Sequence, residues 1–376
     1  MSTTSSTPAT FPNPPLWHDA QRQAHFEAWL APLVPAHALL PHSLRLASAD
    51  ASFRRYLRLD CAGGAHASLI VMDAPPDKED CQSFVQVAQL MAQAGLRVPE
   101  VLAWDRAQGF MLLTDLGSHT LLQAMDLQAP PPLAHYLDAV EALVAWQKAS
   151  QPGQLPPYDT ALLMRELELF PQWYVGTYRG ITLSEAQRKV MDQAFARIVA
   201  HNLSWPSVYV HRDFMPRNLM IAGVGAPTLA TAPNSTPSAT RLGVLDFQDA
   251  VYGPITYDIA SLLRDAFLSW DEEFCLDVTI RYWERARKAG LPVGDDFGEF
   301  YKGVEWMGLQ RHLKVVGIFA RLTLRDGKPK YLADTPRFIA YIRATCSRYI
   351  ELKPLLRLVE SIEGIEVPMG FAFGRV

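Results

Sequence analysis

Cysteine is scarce: Cys61, Cys81, Cys275 and Cys346 are the only four, and they are far apart. No C-x-x-C spacing closes a zinc site or a redox pair, so the thiols read as reduced core or surface groups. No run of about 18 apolar residues occurs, which leaves no candidate membrane helix. Basic charge is not in excess either, with 35 Lys and Arg against 39 Asp and Glu and a net charge of -4. Without a basic footprint, neither a nucleic-acid backbone nor an anionic membrane is expected as a partner. The opening "MSTTSSTPATFPNPP" lacks the cationic start and apolar stretch of a secretory signal. A cytoplasmic protein is expected, with residues 1–15 as a flexible tail rich in Ser, Thr and Pro.

Apolar material is plentiful. Hydrophobic residues make up 49% of 376, enough for a large core and long for a single one, so two lobes are expected. "LWHDAQRQAHFEAWLAPLV" has the spacing of an amphipathic helix. The pattern then shortens to runs at Leu44 to Leu46, Phe53 to Leu59 and Ser68 to Met72, separated by small residues, which predict three antiparallel strands. "DKEDCQSFVQVAQLMAQAG" returns to a helical period and stops at Gly95. "VPEVLAWD" and "GFMLLTDLG" add two strands, and the boundary of this first lobe, 16–117, falls near Gly117.

From residue 118 to 376 apolar residues recur three or four apart over 132–150, 159–178, 184–202, 255–268, 272–289, 296–325 and 335–350, which predicts a mainly helical second lobe. Short β-type segments, "SVYV", "NLMI" and "RLGVLDF", interrupt it. Between the last two, residues 222–241 are Ala, Thr, Ser, Pro and Gly without a period, read as a disordered insertion joining the strands of a hairpin.

Pairing those strands brings "VHRDFMPRN" and "LGVLDFQDA" together. Asp213, Asn218 and Asp246 then form a hard oxygen set that suits Mg²⁺ rather than zinc. Phosphoryl transfer needs a carboxylate facing the attacking hydroxyl, and an Asn and an Asp on the metal of the nucleotide. The kinase template H-x-D-(x)4-N followed by D-F-G is met by His211, Asp213 and Asn218 and by two of three positions at Asp246, Phe247 and Gln248. A metal-dependent hydrolase would want further His or carboxylate ligands at fixed spacing, and none stands out.

With "GPITYDIASLLRDAF", these motifs make the chain resemble the aminoglycoside phosphotransferase and choline kinase superfamily, over roughly residues 40 to 350. The resemblance implies an α+β, bilobal protein-kinase-like fold, with a small antiparallel-sheet N-lobe for nucleotide and a mainly helical C-lobe for catalysis and substrate. It implies ATP and Mg²⁺ as cofactors, Asp213 as catalytic carboxylate, His211 orienting the loop, and Asn218 and Asp246 as metal ligands. Asp258 becomes a structural residue tying its helix to the catalytic loop, and Thr114, Asp115 and Leu116 the hinge that receives adenine.

Two parts of the pattern are missing. The phosphate-holding strand lysine of kinases has no counterpart: Met72 stands near its place, and the only lysine between Asp50 and Thr120 is Lys78. "SADASFRRYLRL" replaces the glycine-rich loop, with Ser52 and Phe53 as candidate phosphate contacts and Arg54 or Arg55 as the replacement charge.

"DASFRRYLR", "VMDAPP", "HRDFMPRNLM" and "LQRHLKVVGIFARL" are similar to a narrower bacterial group, the anomeric kinases of N-acetylmuramate and N-acetylglucosamine in cell-wall recycling. An amino-sugar substrate phosphorylated at its C1 hydroxyl is then expected, with the chain a monomer. Glu166, Glu168 and Trp173 offer sugar-binding chemistry, or else belong to an ordinary helix. Arg311, with Gln310 and Lys314 nearby, offers a charge for a carboxylate, and Gln248 a polar reach toward substrate. Aminoglycoside, choline or homoserine kinases are the alternatives within the same chemistry. A catalytically silent kinase-like binding module is the alternative outside it.

Overall fold

A computed structural model describes residues 17, 19–49, 53–126, 129–221 and 242–365. The chain divides into two compact units, Met1–Ala124 with Leu219–Asp249, and Met125–Asn218 with Ala250–Val376.

In the first unit, helix α1 (Ala20–Leu30) and the single turn α2 (Leu33–Ala36) precede strands β1 (Arg45–Ala49), β2 (Arg55–Asp60) and β3 (Ser68–Asp73). Helix α3 (Cys81–Gln93), strands β4 (Val101–Asp105) and β5 (Phe110–Thr114) and the turn α4 (Leu121–Ala124) follow. The Asp19 and Asp80 carboxylates cap α1 and α3 by accepting the N–H of Gln21 and Gln82, relieving donors the first turn leaves open. Gly95, at φ +81°, ends α3 in the left-handed conformation glycine adopts at least cost.

The strands form one antiparallel sheet in the order β1-β2-β3-β5-β4. Because side chains alternate across a strand, Leu57, Leu59, Leu69, Val71, Phe110 and Leu112 share one face, and Phe26 and Leu30 of α1 cover it. Arg58, Tyr56, Ile70 and Met72 stand on the other face, in register with one another.

The chain then enters the second unit as α5 (Leu133–Lys148), α6 (Thr160–Leu167), a π-helical stretch (Phe170–Tyr178), α7 (Glu185–Leu203) and β6 (Ser207–Val210). It returns to the first unit for β7 (Leu219–Met220) and β8 (Gly243–Val244), and back to the second for β9 (Val251–Pro254). Helices α8 (Thr256–Leu263), α9 (Glu272–Lys288), α10 (Phe297–Leu324), α11 (Thr335–Arg348) and α12 (Lys353–Glu363) complete it.

The expected hairpin is present: Leu219 pairs with Val244 and Met220 with Gly243. The insertion 222–241 between them lies outside the described residues, as does the tail 1–15. Gly243 is required here, since a Cβ would stand 2.9 Å from Leu116 Cδ1.

Three elements differ from expectation. The helix predicted over 159–178 is α6 followed by a π-helical stretch, because Pro171 has no N–H to continue the α ladder. Strand β9, paired antiparallel to β6, was hidden by Gly253 and Pro254, which read as a turn. Helix α12 also went unread, its Pro354 occupying the first turn, where a missing N–H costs nothing. Among the described residues, no helix is long and apolar enough to cross a membrane.

Phe26 is the hub of the α1–sheet contact, with its ring 4.9 Å from that of Trp17 and 5.6 Å from that of Phe110. Truncation of a buried phenylalanine typically costs about 3–5 kcal/mol. Phe26→Ala should therefore lower the unfolding free energy from denaturant titration by that order; a change below about 1 kcal/mol would show that α1 is not part of the first unit's core.

Candidate functional site

The candidate catalytic motif begins where β6 ends. His211 is fully buried, and its Nδ1 accepts the Asp213 N–H at 3.2 Å, which places the ring proton on Nε2. The His211 and Arg212 N–H groups both donate to the carboxylate of Asp258 on α8, at 2.7 and 3.1 Å. Between them, Arg212 adopts φ +76°, a conformation that costs a non-glycine residue of order 1–3 kcal/mol and persists only where its surroundings enforce it.

That reversed backbone points the Arg212 carbonyl at α10, where Arg311 Nη1 donates to it at 2.9 Å. The same Nη1 lies 3.5 Å from Asp213 Oδ1, and Arg311 Nη2 reaches Met215 Sδ at 3.7 Å. Burial is the largest influence on the Asp213 carboxyl and pushes its pKa up, but the charges of Arg311, Lys314 and Arg212 outweigh it and hold the group below its usual range. The Asp213 side chain keeps 39% of its surface open to solvent, enough for a small acceptor to reach.

Asn218 closes the loop: its Nδ2 donates to the Asp213 carbonyl at 2.9 Å, which directs the amide oxygen the other way. It immediately precedes β7 and the Leu219–Val244 pair, and Asp246 follows that pair by two residues. Asp246 sits at φ +62°, and Gln248 Nε2 donates to its Oδ1 at 2.9 Å. Gln248, which replaces the glycine of the kinase template, thus orients a carboxylate.

The remaining candidates separate. Glu166, at 5% exposure, has its Oε1 bound by Arg212 Nη2 at 2.6 Å and Lys314 Nζ at 2.8 Å, and its Oε2 by the hydroxyl of Tyr158. Glu168 pairs instead with Arg188 of α7 at 2.5 Å, at the surface. Trp173 is half-buried on the π-helical stretch. Gln310 is tied to the carbonyl of Leu163 at 3.0 Å.

In the first unit, Ser52 lies outside the described residues, and Phe53 is 64% exposed. Arg54 and Arg55, adjacent in sequence, take different partners. Arg54 is buried and pairs with Glu79, just ahead of α3, at 2.8 Å. Arg55 bonds the buried Asp73, which Arg22 of α1 also holds at 2.5 Å, and its guanidinium lies 4.4 Å from the ring centroid of Trp17. Lys78 is exposed beside Asp77, and Met72 is fully buried.

The predicted hinge is braced: Thr114 Oγ1 accepts the Glu100 N–H at 2.9 Å, and Arg58 grips Asp115 through Nε and Nη2 at 2.6 and 3.0 Å. The Leu116 carbonyl accepts from Arg97 Nη2 at 3.1 Å.

Arg212, Tyr158, Glu79 and Arg58 were not singled out from sequence. Arg212 had a legible signal, being the variable position inside the H-x-D motif. The others are common residue types whose partners lie far along the chain.

The chain belongs to the phosphotransferase enzyme family, whose model matches residues 43–295. It is 47% identical over 357 residues to the N-acetylmuramate/N-acetylglucosamine kinase of Neisseria meningitidis serogroup B, covering 94% of this chain and 100% of that one. The protein of the same name from Pseudomonas aeruginosa is 45% identical over 88% of this chain and 90% of its own length. The fold is shared with Plasmodium vivax ethanolamine kinase, at TM-score 0.56 and 10% identity over 86% of each chain. It is shared too with the ADP-bound aminoglycoside phosphotransferase APH(2'')-Ib, at TM-score 0.52 and 14% identity over 86% of this chain and 97% of that one.

Burial pushes the Asp258 carboxyl up to about 7, against the pull of its two N–H donors. A carboxyl raised in the folded state stabilises fully below its unfolded pKa of about 3.9 and loses that contribution as pH rises through the folded value. Relative to Asp258→Asn, which cannot ionise, the wild type should lose thermal stability between pH 4 and about 7. Parallel melting curves with a pH-independent difference would contradict this.

Proposed function

We propose that the protein is an ATP-dependent kinase that phosphorylates the C1 hydroxyl of N-acetylmuramate or N-acetylglucosamine. The observation that carries this reading is the 47% identity, over the full length of the Neisseria protein, to a kinase named for those two sugars. An intact Asp213, Asn218 and Asp246 set supports it, since a silent binding module has no chemical need of all three.

Asp213 faces the acceptor. Its carboxylate orients the hydroxyl and takes its proton as the oxygen bonds to the γ-phosphorus and ADP leaves. An anomeric hydroxyl is more acidic than an ordinary alcohol, so positioning carries more of the catalysis than basicity. Asn218 and Asp246 would hold Mg²⁺, the one offering an amide oxygen and the other a carboxylate. Among the described residues, no three His, Cys, Asp or Glu side chains gather as a metal cage. Mg²⁺ takes one or two protein oxygens and completes its shell with phosphates and water. Bound Mg²⁺-ATP supplies the phosphoryl group and the neutralising charge.

On the nucleotide side, Thr114 to Leu116 form the hinge, with Phe53 near the phosphates. Arg54 serves in place of the strand lysine. Its pair with Glu79 resembles the lysine–glutamate ion pair of kinases in chemistry, whereas Arg55 is taken up by Asp73. Arg54→Met should raise the KM for ATP by about tenfold, the scale of one charged hydrogen bond. Arg55→Met should mainly lower stability; the reverse pattern would reassign the phosphate contact to Arg55.

A screen of ATP consumption over N-acetylmuramate, N-acetylglucosamine, choline, homoserine and kanamycin tests the substrate class. Turnover of the two sugars is expected, and turnover of a non-sugar alone would sink the assignment. Asp213→Asn should cut kcat by about 10²–10⁴-fold.

A further inference from the structure

Glu166 stands out because it is charged and buried, yet all its visible bonds point inward. Sequence chemistry suggested a sugar-hydroxyl acceptor, but both of its oxygens are occupied by Arg212, Lys314 and Tyr158. We propose that Glu166 is a positioning residue for the catalytic loop, acting through the Arg212 side chain rather than by touching the sugar. This rests on the kinase reading above and adds a role for a residue outside the motif.

The physical case begins with the strain at Arg212. A non-glycine residue at φ +76° relaxes unless held from several sides. Asp258 holds the N–H side of the reversed segment, and Arg311 holds its carbonyl. The side chain offers a third hold on the backbone that places Asp213, the next residue. Glu166 supplies that third restraint at 2.6 Å, in a charge-assisted bond of the stronger kind.

The carboxylate is itself placed by close backbone approaches. Tyr158 lies against β9 only because residue 253 is glycine: a Cβ there would stand 2.5 Å from the Tyr158 Cβ. On α10, one turn beyond Lys314, a Cβ on Gly317 would come 2.4 Å from the carbonyl carbon of Leu169, at the junction after α6. These two glycines set how near the Tyr158 hydroxyl and the Lys314 ammonium come to Glu166.

Glu166 also neutralises two cations that would otherwise repel in a buried setting. Removing one partner of such a cluster is costly, because the charge left behind has neither water nor a counter-ion. The asymmetry gives a test. Glu166→Gln leaves Arg212 and Lys314 uncompensated, whereas Glu166→Gln with Lys314→Met removes the surplus charge and lets the Gln oxygen accept from Arg212 alone.

The experiment is steady-state kinetics on the full chain with ATP and N-acetylmuramate, beside thermal melting of each variant. Glu166→Gln is expected to lower kcat about tenfold or more with both KM values within about threefold, the mark of lost positioning rather than lost binding. The double variant should recover much of that kcat, and Glu166→Gln added to Arg212→Met should cost nothing further, because both remove one interaction. A raised sugar KM with kcat intact would place Glu166 on the substrate and overturn the proposal. Unchanged kcat in a folded Glu166→Gln variant would do the same, as would a double variant no better than the single one. Should Glu166→Gln fail to fold, the double variant and Arg212→Met still decide: full activity in Arg212→Met overturns it. Absence of sugar turnover in the wild type would instead refute the kinase reading.

Discussion

The grip of one buried carboxylate on two consecutive backbone N–H groups is the constraint on which the rest of the second unit depends. Asp258 accepts from His211 and Arg212, and this holds the chain in a left-handed turn where an arginine would not stay by itself. Everything chemical follows from that reversal. The Arg212 carbonyl meets Arg311, its side chain meets Glu166, and Asp213 comes next in the chain with its carboxylate partly open to solvent. Helix α8 can offer Asp258 because it packs with its surface almost wholly buried, and α10 can offer Arg311 and Lys314 because small residues let it pass close to its neighbours.

How much of this was legible in the sequence depended on the range of the interaction. The sheet and α3 declared themselves through local period and through the stop at Gly95. The ordered motif from His211 to Asp246 declared the chemistry, since its spacing is set by one loop and one hairpin. Glu166 and Arg311 were visible as residue types but not as partners of Arg212, because they lie 46 and 99 residues away along the chain. Sequence chemistry left both open between a sugar contact and ordinary packing; in the structure both bond Arg212. Arg54 and Arg55 show the same limit at shorter range: just before β2 and at its first residue, one pairs with Glu79 and the other with Asp73, and "FRRY" does not say which.

The missing strand lysine is explained by what surrounds Met72. That position is fully buried in the sheet, in register with Tyr56 and Met111, where an ammonium would lack water and a partner. Positive charge appears instead at the edge of β2, where Arg54 pairs with Glu79. At the predicted hinge, Asp115 is held by Arg58, Ser68 and the N–H of Gly117.

The central claim is that Asp213, held by Asp258 and Arg311, serves an anomeric hydroxyl. The most direct measurement is phosphorus and carbon NMR of the product made by the wild-type protein from ATP and N-acetylmuramate labelled with carbon-13 at C1. A new phosphorus resonance coupled to the labelled carbon, appearing with equimolar ADP, is the predicted result. Phosphate on any other carbon, or ADP formed without sugar phosphate, would contradict the account.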